Sequence, residues 1–220
     1  MRNRKLLTIY QRLLDAYGAQ GWWPAKTRFE VIVGAILTQN TNWKNVEAVM
    51  AELERRHLLS PRALAGIKTS ELAQLIRKTG YFRQKAKKIK AFLDYFRTYN
   101  FDLDSMMCLD KDVLRTQLLQ IWGIGPETAD AILLYALDKP VFVVDAYTRR
   151  TFSRMGLVDY RISYEDLRAF FEQRLPSDLE LFKEFHALID ELAKRNCRPK
   201  PQCQNCPVVS LCAYRSQTFI

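Results

Sequence analysis

Apolar residues recur at helical spacing along almost the whole chain, and that period excludes most sheet-based folds. Leu6, Leu7, Tyr10, Leu13, Leu14 and Tyr17 trace one amphipathic stripe. Phe29, Ile32, Val33, Ile36 and Leu37 trace a second, and Val46, Val49, Met50 and Leu53 a third. Leu72, Leu75 and Ile76 follow, then Ile89, Phe92, Leu93 and Phe96. Helix-start signals agree with the stripes. Ser60-Pro61 reads as an N-cap followed by proline at the first helical position. Ser163 with Asp166, and Ser177 with Glu180, fit capping boxes. One strand candidate stands out, VFVV at 141–144, and a strand without a partner makes no sheet. The chain is therefore expected to be all-α, with roughly ten short helices and no repeat or long linker.

The segment GIGPETADAI, residues 123–132, interrupts this pattern. Leu114, Leu118, Leu119 and Ile121 suggest a helix ending near Trp122. Gly123 can take a positive φ at its end. Gly125 follows, and Pro126 suits the first position of a new helix striped by Ala129, Ile132, Leu133 and Ala136. The product is helix, tight turn, helix. Bare glycines let another backbone approach, and the N–H groups at the second helix start favour an anion such as a DNA phosphate. The same residues would also make an ordinary corner between two helices.

Charge supports the first reading. The 220 residues carry 34 Lys and Arg against 24 Asp and Glu, a formal charge of +10. Such a surplus points to a polyanion, either nucleic acid or an anionic membrane surface, unless it is only a solvated face. Between residues 77 and 97 the basic residues are Arg77, Lys78, Arg83, Lys85, Lys87, Lys88, Lys90 and Arg97, against the single acid Asp94. That imbalance suits a duplex backbone. No apolar run approaches the ~20 residues that span a bilayer. The N-terminal stretch reads as an amphipathic helix and not a signal peptide, so a cytoplasmic, nucleoid-associated protein without a membrane partner is expected.

Asp145 directly follows the apolar run 141–144 and precedes AYTRRTFSRM. It is a good helix N-cap. A carboxylate fixed and aimed there also suits stabilisation of a cationic transition state, and the two roles are compatible. Four of the five cysteines crowd the C-terminal region. Five residues separate Cys197 from Cys203, two separate Cys203 from Cys206, and five separate Cys206 from Cys212. In a reducing compartment this reads as a metal site. The compact wrap suits a [4Fe-4S] cluster better than zinc, which usually takes two CxxC-like pairs. The lone Cys108 reads as a buried apolar filler.

LLQIWGIGPETADAILLYALDKPVFVVDAY, together with the cysteine wrap, resembles the helix-hairpin-helix DNA glycosylase superfamily of endonuclease III. LTQNTNWKNV at 37–46 and TGYFRQKAKKI at 79–89 match its early segments in order, so the resemblance covers nearly the whole chain. It implies two lobes with double-stranded DNA and a flipped, damaged base between them. Residues 21–135 would form a six-helix barrel lobe with the hairpin. Residues 1–20 and 136–220 would form a terminal lobe with the [4Fe-4S] loop at 197–212. Asp145 would be the catalytic carboxylate, and Cys197, Cys203, Cys206 and Cys212 the cluster ligands. Gly123, Ile124, Gly125, Thr128 and Lys85 would contact DNA. Gln39 would fill the gap left by the extruded base, and Tyr81 would lie near the wedge into the opposite strand. The chain is expected to act as a monomer.

In the superfamily's bifunctional branch, a hairpin lysine attacks the sugar C1′ and strand cleavage follows. Glu127 stands at that position and cannot attack, which implies a monofunctional enzyme. Trp22-Trp23-Pro24, then LTQNTNW with Trp43, then a hairpin bearing Glu resembles the 3-methyladenine DNA glycosylase III branch. Tryptophan stands here where that branch carries phenylalanine, and the first cysteine gap is five residues where six is usual. A ring-alkylated purine such as 3-methyladenine is already cationic, so an aromatic box of Trp22, Trp23, Pro24 and Trp43 could select it. The same tryptophans could simply pack the interior. The competing readings are a mismatch or oxidised-base glycosylase, an endonuclease III-like enzyme with lyase activity, and a DNA-binding protein without catalysis.

Overall fold

The computed structural model describes residues 4–214, and every helical stripe read above folds as a helix. The helices are α1 (Arg4–Tyr17), α2 (Arg28–Leu37), α3 (Trp43–Arg55), α4 (Pro61–Gly66), α5 (Thr69–Leu75) and α6 (Phe82–Arg97). They continue with α7 (Leu103–Met107), α8 (Lys111–Gln120), α9 (Pro126–Ala131), α10 (Ala146–Arg154), α11 (Tyr164–Glu172) and α12 (Leu179–Arg195). A π-helical turn, Ile132–Ala136, prolongs α9. There is no strand among the described residues, and no helix there is long and apolar enough to cross a membrane. The chain divides into two compact units, Ala25–Lys139 and a second unit made of the segment up to Pro24 with the chain from Pro140 onward.

In the Ala25–Lys139 unit, α2 is the hub. Residues 31–37 are buried without interruption, and a helix that is apolar all round belongs inside. It packs against α3, α6, α9 and the π-helical turn. Three of the helix starts in this unit, those of α2, α3 and α4, carry side-chain caps. The Thr27 hydroxyl accepts from Glu30 N at 3.2 Å, Asn42 accepts from Asn45 N at 3.0 Å, and Ser60 accepts from Ala63 N at 3.3 Å. The helix before the hairpin stops at Gln120, slightly earlier than its apolar stripe suggests, because Ile121 turns inward while Trp122 is 57 % exposed.

The other unit packs α1 and α10 against α12 around a cluster of aromatic rings. Phe142 stacks on Phe171 with centroids 4.1 Å apart and meets Phe182 and Phe185 edge-on. Residues 141–144, the strand candidate, are wholly buried but form no regular secondary structure and pair with no strand. A carboxylate does part of that work, because Phe142 N donates to Glu172 Oε1 at 2.9 Å. Two other expectations need correction. The cap of α12 is Asp178, accepting from Leu181 N at 2.7 Å, and not Ser177. Cys108 is exposed at the end of a short helix and is no core filler.

The hairpin helices are bound by a buried ion pair. Arg115 of α8 donates from Nε to Asp130 Oδ1 at 2.6 Å and from Nη2 to Oδ2 at 3.2 Å, and the Asp130 side chain has no exposure. Arg115→Met removes the guanidinium from a fully buried carboxylate, so urea unfolding should show a loss of about 3–5 kcal/mol. The double variant Arg115→Met/Asp130→Leu should recover most of it.

Candidate active site

The turn of the hairpin is built by one glycine. Gly123 has φ 83°, and the alkyl chain of Lys88 from α6 lies across it. A Cβ there would come within 2.7 Å of Lys88 Cε and 2.8 Å of Cδ. Ile124 N donates to Ile121 O at 3.1 Å, and the Ile124 side chain is buried, so this residue anchors the turn from within. The backbone ladder of α9 begins with Ala129 N donating to Gly125 O at 2.9 Å. The N–H groups ahead of Ala129 have no acceptor within their own helix, as at any helix start. Gly125 and Glu127 are exposed and Thr128 is buried.

Gln39 sits in the turn between α2 and α3 and reaches this hairpin. Its Nε2 donates to Thr128 Oγ1 at 2.9 Å and to Gly123 O at 3.3 Å. Its Oε1 accepts from the Lys88 ammonium. Tyr81 precedes α6 with a positive φ of 44° and is 67 % exposed, ring outward. Trp43 opens α3 half-buried, with Nε1 donating to Glu47 Oε1 at 2.7 Å.

Lys85 departs from its expected place. It is 1 % exposed, and its ammonium donates to Leu37 O at 2.9 Å and Thr79 O at 2.6 Å, which holds the end of α2 against the turn before α6. It has no face for a phosphate. The exposed cations of the same run are Arg77, Lys78, Arg83, Lys87 and Arg97. Lys139, another lysine close to the hairpin in sequence, donates to Met107 O at 2.7 Å.

In the other unit, Asp145 is the N-cap of α10. Its Oδ1 accepts from Thr148 N and from Thr148 Oγ1, both at 2.7 Å, so one oxygen fixes the carboxylate to the helix start. His186 of α12 lies within electrostatic reach. Burial pushes its imidazole below the usual range, against the opposing pull of the Asp145 and Asp190 carboxylates. Burial likewise raises Asp190, opposed by its ion pair with Lys194. Trp22 rests on this face of α12, edge-on to His186 at 5.7 Å and with the Lys194 ammonium 5.4 Å from its ring centroid. Trp23 meets Trp22 edge-on at 6.4 Å, both half-buried, and Pro24 is exposed. The sequence offered little sign of His186, whose apolar neighbours in FHALI mark only a buried position. The burial of Asp130, an acid inside an apolar stripe, was a legible signal of a paired charge.

Cys197, Cys203, Cys206 and Cys212 line one cavity with Met155, Leu192 and Val208. Burial pushes the Cys206 thiol up to about 11, and the other three cysteines add to the rise. Arg154 closes the loop from outside, donating to Pro199 O at 2.9 Å and approaching Cys197 Sγ at 3.5 Å. Among the described residues no group of His, Cys, Asp or Glu side chains already converges in the geometry of a bound metal ion. The chemistry of the donors still fits a group that takes four thiolates, because four thiols line one shared cavity.

Residues 33–177 match the model of the HhH-GPD superfamily of base excision DNA repair proteins. The chain is 48 % identical over 206 residues to a Methanocaldococcus jannaschii protein named provisionally as a DNA repair glycosylase, covering 93 % of this chain and 94 % of that one. It is 31 % identical to an endonuclease III of Sulfolobus acidocaldarius over 86 % of this chain and 84 % of the relative. The crystal structure of an H. pylori 3-methyladenine DNA glycosylase bound to 1,N6-ethenoadenine superposes with a TM-score of 0.75 at 28 % identity, over 86 % of this chain and 97 % of that one. The chain belongs to the HhH-GPD superfamily and has the all-α fold of its glycosylases.

The buried lysine gives a pH signature. Burial pushes the Lys85 ammonium down to about 8, and the nearby Lys88 charge adds to this. Between about 8 and its unfolded value the unfolded chain binds more protons, so this group makes the fold more stable as pH rises. The stability of wild type relative to Lys85→Met should therefore rise by about 1–3 kcal/mol from pH 8 to about 10.5 in denaturant titrations. A pH-independent difference would overturn this assignment.

Proposed function

We propose that this DNA glycosylase of the HhH-GPD superfamily is monofunctional and removes alkylated purines such as 3-methyladenine, leaving an abasic site. The observation that carries the reading is Asp145, a carboxylate anchored by one oxygen at the start of α10. Phosphates of the damaged strand dock on Gly123, Gly125 and the first turn of α9. The damaged nucleotide leaves the stack, Gln39 fills its place, and the exposed Tyr81 ring presses on the opposite strand. Trp22 and Trp23 beside Pro24, and separately Trp43, are the candidate rings for stacking on the base, and stacking favours a cationic purine. The C1′–N bond breaks as positive charge builds on the sugar, and the Asp145 carboxylate stabilises that charge. Water adds to C1′ and gives up its proton to solvent, and the neutral base departs without needing an acid.

Glu127 supports the monofunctional reading, because an acidic side chain stands in the hairpin's first turn where a nucleophilic lysine would be needed. The likeness to the H. pylori 3-methyladenine enzyme supports the substrate class. We assign Cys197, Cys203, Cys206 and Cys212 as holders of a [4Fe-4S] cluster. When bound, it neutralises the crowded thiolates and braces the C-terminal loop. A second reading, a glycosylase with lyase activity, is favoured by the endonuclease III relative.

Three experiments test this. Methylated duplex DNA should release 3-methyladenine, with strand breaks appearing only after alkali. Breaks without alkali would establish a lyase and reject the role given to Glu127. Asp145→Asn keeps an N-cap acceptor, so the fold and DNA binding should survive while base release falls by roughly 100-fold or more. Anaerobically purified protein should be brown, and Cys203→Ser should bleach it. A colourless wild type containing zinc would reject the cluster.

A further inference from the structure

The basic run of α6 contains one lysine that faces the hairpin instead of solvent. Lys88 is half-buried, its alkyl chain crosses Gly123, and its ammonium donates to Gln39 Oε1. The two amide hydrogens of Gln39 go to Thr128 Oγ1 and Gly123 O. An ammonium can only donate, so Lys88 dictates which end of the amide is oxygen, and the remaining contacts follow. Three segments far apart in sequence are thereby tied at one side chain: the turn after α2, the face of α6 and the hairpin. Gly123 is necessary to the tie, since a side chain there would occupy the space of the Lys88 methylenes.

We propose that Lys88 is a positioning residue that locks Gln39 onto the hairpin, so that docking of the hairpin on the backbone also aims the gap-filling amide at the duplex. The inference rests on the reading of Gln39 given above. A free glutamine side chain loses rotamer freedom when it is fixed inside DNA, and holding it beforehand removes that loss. The alternative, that Lys88 is one more phosphate contact, fits its position less well. The neighbouring Arg83 and Lys87 are exposed, whereas the Lys88 ammonium already has an acceptor inside the protein.

The test is a double-mutant cycle on duplex binding. Wild type, Lys88→Met, Gln39→Ala and the double variant are titrated with a duplex carrying a tetrahydrofuran abasic analogue and with the same duplex undamaged. The quantity read is the ratio of the two affinities. Lys88→Met and Gln39→Ala should each lower that ratio by roughly 5- to 10-fold. The double variant should fall no further than Gln39→Ala alone, and Lys88→Arg should restore part of the ratio with an unchanged melting temperature. The proposal fails if Lys88→Met weakens both duplexes equally and lowers the salt slope by about 1, the mark of a phosphate contact. It fails equally if the two losses multiply, or if Lys88→Met matches wild type while Gln39→Ala does not. A wild type without preference for the abasic duplex, or a Gln39→Ala variant that keeps that preference, would instead reject the reading of Gln39 itself.

Discussion

The hairpin depends on a pair of charges that cannot leave each other. Asp130 lies on the inward face of α9, and Arg115 reaches it from α8 with two nitrogens. Removing a carboxylate from water is so costly that any rearrangement separating the helices is opposed at once. The two hydrogen bonds are directional, so they hold an angle as well as a distance. With the helices held, the intervening turn has few conformations left. Gly123 takes the one with positive φ that places α9 correctly. Lys88 then fills the space that the glycine leaves, and Gln39 is drawn to the same point.

The molecule aims its polar groups by tying them to helix ends. Asp145 is fixed by the first-turn N–H and hydroxyl of Thr148, which costs no flexible linker and leaves the second carboxylate oxygen outside that bond. Lys85 uses the opposite pole, its ammonium donating to the Leu37 carbonyl at the end of α2. The cysteine loop works differently. Its four cysteines line one cavity, and burial there disfavours an isolated thiolate, raising Cys206.

Much of this was legible beforehand wherever the cause is local. Ser60 and Ser163 each cap the helix that follows, because a cap is a contact across three residues. Asp145 reads correctly as a cap. Errors appear where two local solutions compete or where burial decides. Ser177 and Asp178 are both good caps, and the chain uses the second. The run 141–144 has strand composition but finds aromatic rings and a Glu172 carboxylate in place of a partner strand. Cys108 carries no local signal that separates a buried thiol from an exposed one.

Helical period, the glycine turn and the cysteine spacing belong to the sequence alone. They act within a few residues, and they already point to an all-α protein whose hairpin suits DNA. Tertiary structure alone decided what the basic residues of α6 do. Lys85 and Lys88 are one turn apart and chemically identical, yet one holds a helix end in the interior and the other grips a glutamine 49 positions away. The Gln39 amide in turn meets Gly123 across 84 residues. No short-range pattern records such pairings, because they exist only once separate helices have packed and left one cation an inward face.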